Sequence, residues 1–130
     1  DANAVESTPL ENAQMILLYA SDADVVGIDE AQFLDESIVE IANQLANNGV
    51  RVVIAGLDMD YMGRPFGPMP NLMATAEYVT KVHAICKRTG NLANYSMRTS
   101  GSDDLVQLGE TDSYEAVSRK VFTEEVLNKK

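Results

Sequence analysis

The chain has 130 residues and 45% hydrophobic content, enough for one domain with a packed core. Ten basic against twenty acidic residues give a net charge of −10, which argues against a surface built to hold a nucleic-acid backbone. No apolar run reaches the length of a membrane span, and a single cysteine, Cys86, argues against an internal disulfide framework and fits a reducing compartment.

The charge is uneven along the chain. No Lys or Arg precedes Arg51, whereas ten Asp and Glu fall in residues 1–50. Thr8-Pro9-Leu10-Glu11 predicts a helix start, with Thr8 as cap, Pro9 at the first helical position and Glu11 completing a capping box. Leu10, Ala13, Leu17 and Ala20 then recur on one face. After a turn at residues 21–24, Val25-Val26-Gly27-Ile28 reads as a buried strand that runs into two adjacent acids, Asp29 and Glu30. Acids at the carboxyl edge of a sheet stand where open α/β folds put their ligands. In phosphoryl-transferring P-loop proteins such an Asp serves Mg²⁺, and a neighbouring acid can orient or deprotonate the attacking group. The same acids also suit the first turn of a following helix.

Asp35 is expected to cap a second helix, with Ile38, Ile41, Ala42 and Leu45 on its buried side and Gly49 as a left-handed cap. Val50 to Leu57 is a second apolar strand. Strand, helix and strand with short connections predict a parallel βαβ unit, in a sheet covered on both faces. Asp58 to Pro70, rich in Gly, Pro and aromatics, leaves the carboxyl end of that strand; it suits a ligand-covering loop or a packed connector. Pro70 opens a third helix, with Leu72, Met73, Ala76 and Val79 or Thr80 inward, and Thr80 to Cys86 reads as a third strand. His83, the one histidine, has no partner for metal binding and reads as structural or surface. Beyond a turn at Cys86–Asn91, residues 93–99 and 105–108 predict a hairpin, and the tail from Glu115 a partly helical end.

Four motifs carry a resemblance. They are Asp29-Glu30-Ala31-Gln32-Phe33, Ala55-Gly56-Leu57-Asp58, Gly63-Arg64-Pro65-Phe66-Gly67 and Gly109-Glu110-Thr111-Asp112-Ser113-Tyr114-Glu115. In this order and spacing the chain resembles the P-loop-type thymidine kinase family of many bacteria and animal cytosol, from about Val5 to Phe122. The resemblance implies an α/β, parallel-sheet, P-loop NTPase-like (RecA-like) domain over residues 1–85, a small β-hairpin lasso subdomain over 86–122 and a tail over 123–130. It implies transfer of the ATP γ-phosphate to the 5′-hydroxyl of thymidine or deoxyuridine in the cytoplasm, by a homotetramer that binds neither nucleic acid nor membrane.

By the same resemblance Glu30 would be the general base, and Asp29 would serve Mg²⁺–ATP with Gln32 in the same phosphate-side segment. Phe33, Leu57, Tyr61 and Phe66 would form or close the thymine pocket. Leu105, Val106, Gln107, Leu108 and Gly109 would form the lasso over thymidine, with Ser96 and Gln107 near the thymine methyl and Tyr114 beside the substrate. A polar Gln107 there is a mild departure.

Two departures from the family pattern stand out. No Gly-x-x-x-x-Gly-Lys-Ser/Thr occurs and the chain starts without Met, so the first strand and P-loop are expected to be missing and the chain alone to bind ATP unproductively. Family members tie the lasso base with a zinc held by four Cys. Here only Cys86 remains, against Thr89, Ser118 and Val121, so no zinc is expected, and packing of residues 93–95 against 117–122 should replace it. The competing class is an ATP-driven nucleic-acid motor with an Asp-Glu-Ala-Gln box. It needs a basic track, and no cationic stretch here exceeds two residues. A truncated, non-catalytic remnant is the remaining alternative.

Overall fold

The computed structural model describes residues 8–10, 12–20, 22–99 and 113–129. The chain divides into two compact units, Asp1–Asp58 with Phe66–Glu77, and Met59–Pro65 with Tyr78–Lys130.

In the first unit, α1 (Met15–Tyr19) is short. It starts later than the Thr8-Pro9 pattern suggests, because the Asn12 side chain, not Thr8, accepts the Met15 N–H at 3.2 Å. Its buried face is Ala13, Ile16 and Ala20, and Leu17 is exposed. Strand β1 (Val25–Ile28) pairs in parallel with β2 (Arg51–Ile54), Val25 opposite Arg51 and Ile28 opposite Ile54. Between them α2 (Ser37–Asn47) buries Ile38, Ile41 and Leu45, as its 3.6-residue spacing requires. Asp35 accepts the Ser37 N–H at 3.0 Å ahead of the helix. At the other end Gly49 has φ +88°, and the Gly49 and Val50 N–H groups return to Ala46 and Leu45. That is the six-to-one and five-to-two bonding of a Schellman cap.

The expected βαβ unit is therefore present. Full burial of its strands is not: among the described residues one sheet face packs on the α2 core, while Val25 and Val53 on the other remain more than half exposed. Helix α3 (Met69–Thr75) buries Met69 and Leu72. It stops before Ala76, which is extended, so Ala76 and Val79 do not face inward.

In the second unit the expected strand over residues 80–86 shrinks to β3 (Ala84–Ile85), antiparallel to β4 (Leu92–Ala93). Residues 80–83 have no ladder partner among the described residues, and His83 is exposed. The main hairpin joins β5 (Tyr95–Arg98) to β6 (Tyr114–Val117). The expected hairpin sets β5 opposite residues 105–108, which lie outside the described residues, and the tail from Glu115 is expected to be helical in part. The observed partner starts at Tyr114, and helix begins only at α4 (Arg119–Phe122), followed by a π-helical turn at Thr123–Leu127.

The core of this unit is Cys86, Ala93, Tyr95, Met97, Val117, Val121 and Phe122. Tyr95 and Phe122 stack at 4.2 Å with rings 8° from parallel. The expected packing of residues 93–95 against 117–122 is present. Gly63 (φ +78°) leans on that stack, where an added Cβ would meet both rings at 3.2 Å. Among the described residues no helix is long and apolar enough to cross a membrane.

Candidate functional site

The carboxyl edge of β1 is built by one residue of the neighbouring strand's extension. Ala55 donates to the Ile28 carbonyl at 2.9 Å and accepts from the Ala31 N–H at 3.1 Å. Asp29 and Glu30 bulge out between these two bonds, both exposed. Glu30 sits in the left-handed region (φ 54°, ψ 40°), the one described non-glycine residue to do so. Such a conformation costs about 1–3 kcal/mol and gathers at functional sites. The Glu30 N–H donates to Asp29 Oδ1 at 2.8 Å. The acids therefore do not begin an α-helix; a single 3₁₀ turn, Ala31–Phe33, follows.

Gln32 lies beneath them, 3% exposed. Its Nε2 donates to Glu30 Oε1 at 2.7 Å, and its Oε1 accepts the Leu57 N–H at 3.0 Å. Two glycines let the chain close on it. A Cβ on Gly67 (φ +51°) would fall on the Gln32 carbonyl oxygen, and one on Gly56 would come within 3.0 Å of Gln32 Oε1 and 2.7 Å of the Met69 sulfur. Phe33 and Phe66 meet edge to face at 5.5 Å, and Phe33 and Leu57 are more than half exposed. An accessible apolar margin thus adjoins two carboxylates. Asp29, Glu30, Gln32, Phe33, Leu57 and Phe66 all belong to the first unit. A groove between α1 and α2, lined by Met15, Leu18, Glu40 and Ile41 among others, contains none of them.

Tyr61, Ser96 and Tyr114 belong to the second unit. On β5 Tyr95 and Met97 turn inward and Ser96 outward. Ser96 pairs with Ala116 and Arg98 with Tyr114, so Ser96, Arg98 and Tyr114 share the hairpin face opposite the core. The Arg98 guanidinium lies over the Tyr61 ring at 5.1 Å. Arg98 was missed by sequence reasoning, although its two-residue spacing from Ser96 was the available signal. Leu105, Val106, Gln107, Leu108 and Gly109 lie outside the described residues.

The positions that would hold zinc come together but do not fit it. Cys86 is fully buried at the turn closed by its N–H to the Asn91 carbonyl at 2.8 Å. A hydrogen bond from the Thr89 side chain, aided by the backbone N–H groups of Ser118, Thr89 and Arg88, holds its thiol down to about 6 although burial pushes it up. The Ser118 hydroxyl is engaged by the Val121 N–H at 3.4 Å, and Val121 offers only methyls. One sulfur and two hydroxyls are not a tetrahedral zinc set. Among the described residues no group of three His, Cys, Asp or Glu could hold a metal. For Mg²⁺ the donor chemistry does fit: Asp29 offers hard carboxylate oxygen at an exposed strand end.

Comparison with known proteins adds the family. The family model described as thymidine kinase matches residues 1–122. The chain is 57% identical over 122 residues to the thymidine kinase of Bacteroides fragilis, covering 94% of this chain and 61% of that protein. It is 57% identical to that of Porphyromonas gingivalis (94% and 60%) and 49% identical over 127 residues to that of Bdellovibrio bacteriovorus (97% and 62%). The chain thus spans about three-fifths of the length of these curated relatives.

Proposed function

Because the chain belongs to the thymidine kinase family, we propose that the protein carrying it transfers the γ-phosphoryl group of ATP to the 5′-hydroxyl of thymidine, with deoxyuridine as the related acceptor. The observation that carries the reading is the Glu30 carboxylate, presented at the end of β1 and gripped from below by Gln32. Phosphoryl transfer is mostly positioning and charge stabilisation. A carboxylate held beside the nucleophile orients the hydroxyl and takes its proton. Asp29 would hold Mg²⁺, which when bound neutralises charge developing on the phosphates. The Phe33–Phe66 pair and Leu57 supply apolar surface of the kind a pyrimidine ring needs. Tyr61, Ser96 and Tyr114, with Arg98, act on the thymidine side, and residues 105–109 as the lasso.

The same reading takes the enzyme as a cytoplasmic homotetramer acting on free nucleoside, in an α/β fold of P-loop type, with no structural zinc. The net charge of −10 supports a substrate other than nucleic acid. The test is γ-phosphate transfer from ATP by the full-length protein, with thymidine, deoxycytidine and single-stranded DNA compared. Thymidine-dependent turnover that falls by about 10²–10⁴-fold in Glu30→Gln is expected. ATP turnover that ignores thymidine and rises with DNA would overturn the reading.

A further inference from the structure

We infer that Gln32 is a positioning residue that aims the Glu30 carboxylate and ties it to the backbone at Leu57, and that it acts through Glu30 and not on the phosphates of ATP. The inference rests on Glu30 being the base proposed above. Its ground is that both ends of the Gln32 amide are already in use inside the first unit. The orientation of the amide is dictated by chemistry. The Leu57 N–H can only donate, so it must face the Gln32 oxygen, at 3.0 Å. That leaves the Gln32 NH₂ for the Glu30 carboxylate, which accepts at 2.7 Å. The side chain is 3% exposed and is walled in where Gly56 and Gly67 approach. A buried amide with both ends satisfied is costly to redirect, because turning it away strands the Leu57 N–H and its own dipole.

Glu30 needs such a guide. It is exposed, its backbone is in the left-handed region, and a free glutamate samples many rotamers. One short hydrogen bond from a buried group selects among them. Leu57 opens the segment leading to Asp58, and Phe66 returns to that segment through its N–H to the Asp58 carbonyl at 3.0 Å. The amide therefore links the direction of the carboxylate to the backbone beneath the apolar margin of Phe33, Leu57 and Phe66. Movement of one is transmitted to the other.

The experiment is a double-mutant cycle in the full-length protein with ATP and thymidine, using Gln32→Met, Gln32→Glu, Glu30→Gln and the pairs. Gln32→Met keeps the length and loses both hydrogen bonds. Gln32→Glu keeps an acceptor for the Leu57 N–H but sets a second carboxylate against Glu30 in place of the donor, so it misdirects the base instead of aiming it. The melting temperature of each variant separates lost folding from lost positioning. A positioning role predicts that each Gln32 variant lowers kcat by about 10²-fold while KM for ATP stays within about twofold. In the Glu30→Gln background the same substitutions should cost little more, under about threefold, because the group they position is already gone. A raised ATP KM with unchanged kcat, or losses that multiply across the cycle, would overturn the inference and leave Glu30 as base. Full activity of Glu30→Gln would overturn the reading of Glu30 itself, and the inference with it.

Discussion

Arg88 grips Glu115 through two parallel hydrogen bonds, Nε to Oε2 and Nη2 to Oε1, each 2.9 Å. The pair ties the turn after Cys86 to β6, within the second unit. The bonds from Arg88 hold the Glu115 carboxyl below its ordinary 4.5. The folded chain therefore refuses a proton that the unfolded chain accepts. The pair's contribution is complete above pH 4.5 and is lost as acid titrates the folded carboxylate below it. Both partners are partly exposed, so salt screens the pair and the effect is small. Thermal melts of Glu115→Gln should show a modest loss at neutral pH that narrows on acidification below pH 4.5 and also narrows in high salt. A loss that widens in acid would contradict this.

The Cys86 turn should hold without metal. The hydrogen bonds that Thr89 and three backbone N–H groups give the Cys86 sulfur favour its thiolate and bring its pKa down to about 6, and they stand where metal ligation would otherwise stabilise the charge. Because the folded value lies below the ordinary 9.0, the contribution is complete above pH 9.0 and is lost as pH falls through about 6. Elemental analysis of the purified protein should find substoichiometric zinc, and a chelator should leave the melting temperature unchanged. Ultraviolet titration of the thiolate should find the transition near 6, and Thr89→Val should move it upward. One tightly held zinc per chain would refute the assignment.

The elements legible in the sequence were those whose causes are local. Val25–Ile28, α2 and Gly49 each announce themselves within a few residues: a β-branched run, a 3.6-residue apolar period and a glycine just past the last helical turn. The acids at the end of β1 were legible for the same reason. What sequence did not expose depends on partners far along the chain. The tail from Glu115 is expected to be helical only in part, and Tyr114–Val117 is a strand because Tyr95 pairs with Val117, on the far side of residues 100–112. Residues 80–83 carry a strand-like pattern but find no ladder among the described residues. The grip of Gln32 on Leu57, 25 residues away, is invisible in a motif that shows only that a glutamine follows Asp-Glu-Ala.

Gly67 and Gly49 provide a matched pair of substitutions. Both have positive φ, so Ala at either costs about 1 kcal/mol of backbone strain. Gly49 faces open space, and the cost should end there, with kcat unchanged. At Gly67 the new Cβ falls on the Gln32 carbonyl, and backbone cannot swing aside as a flexible side chain could. Gly67→Ala should therefore lose about 2–4 kcal/mol in denaturant unfolding and also reduce kcat by shifting Gln32. Equal behaviour of the two variants in both measurements would show that the crowding at Gly67 relaxes freely.

On the hairpin face of the second unit, Arg98 should matter for thymidine and not for ATP. Its guanidinium lies over the Tyr61 ring at 5.1 Å, and its strand neighbour across the ladder is Tyr114. The cation holds one face of Tyr61, worth about 0.5–2 kcal/mol according to how dry the contact is. Ser96 is two residues along on the same face. Arg98→Met keeps the stem that packs on the hairpin and removes the charge. It should raise KM for thymidine by about 2- to 30-fold, the same free energy expressed as affinity, with KM for ATP unmoved. Tyr61→Phe retains the ring and should behave as wild type, whereas Tyr61→Ala should match Arg98→Met. The pair should be non-additive, since each removes the same contact. Additive losses would mean that Arg98 and Tyr61 serve the substrate independently, and an effect on ATP instead would assign this face to the phosphate donor.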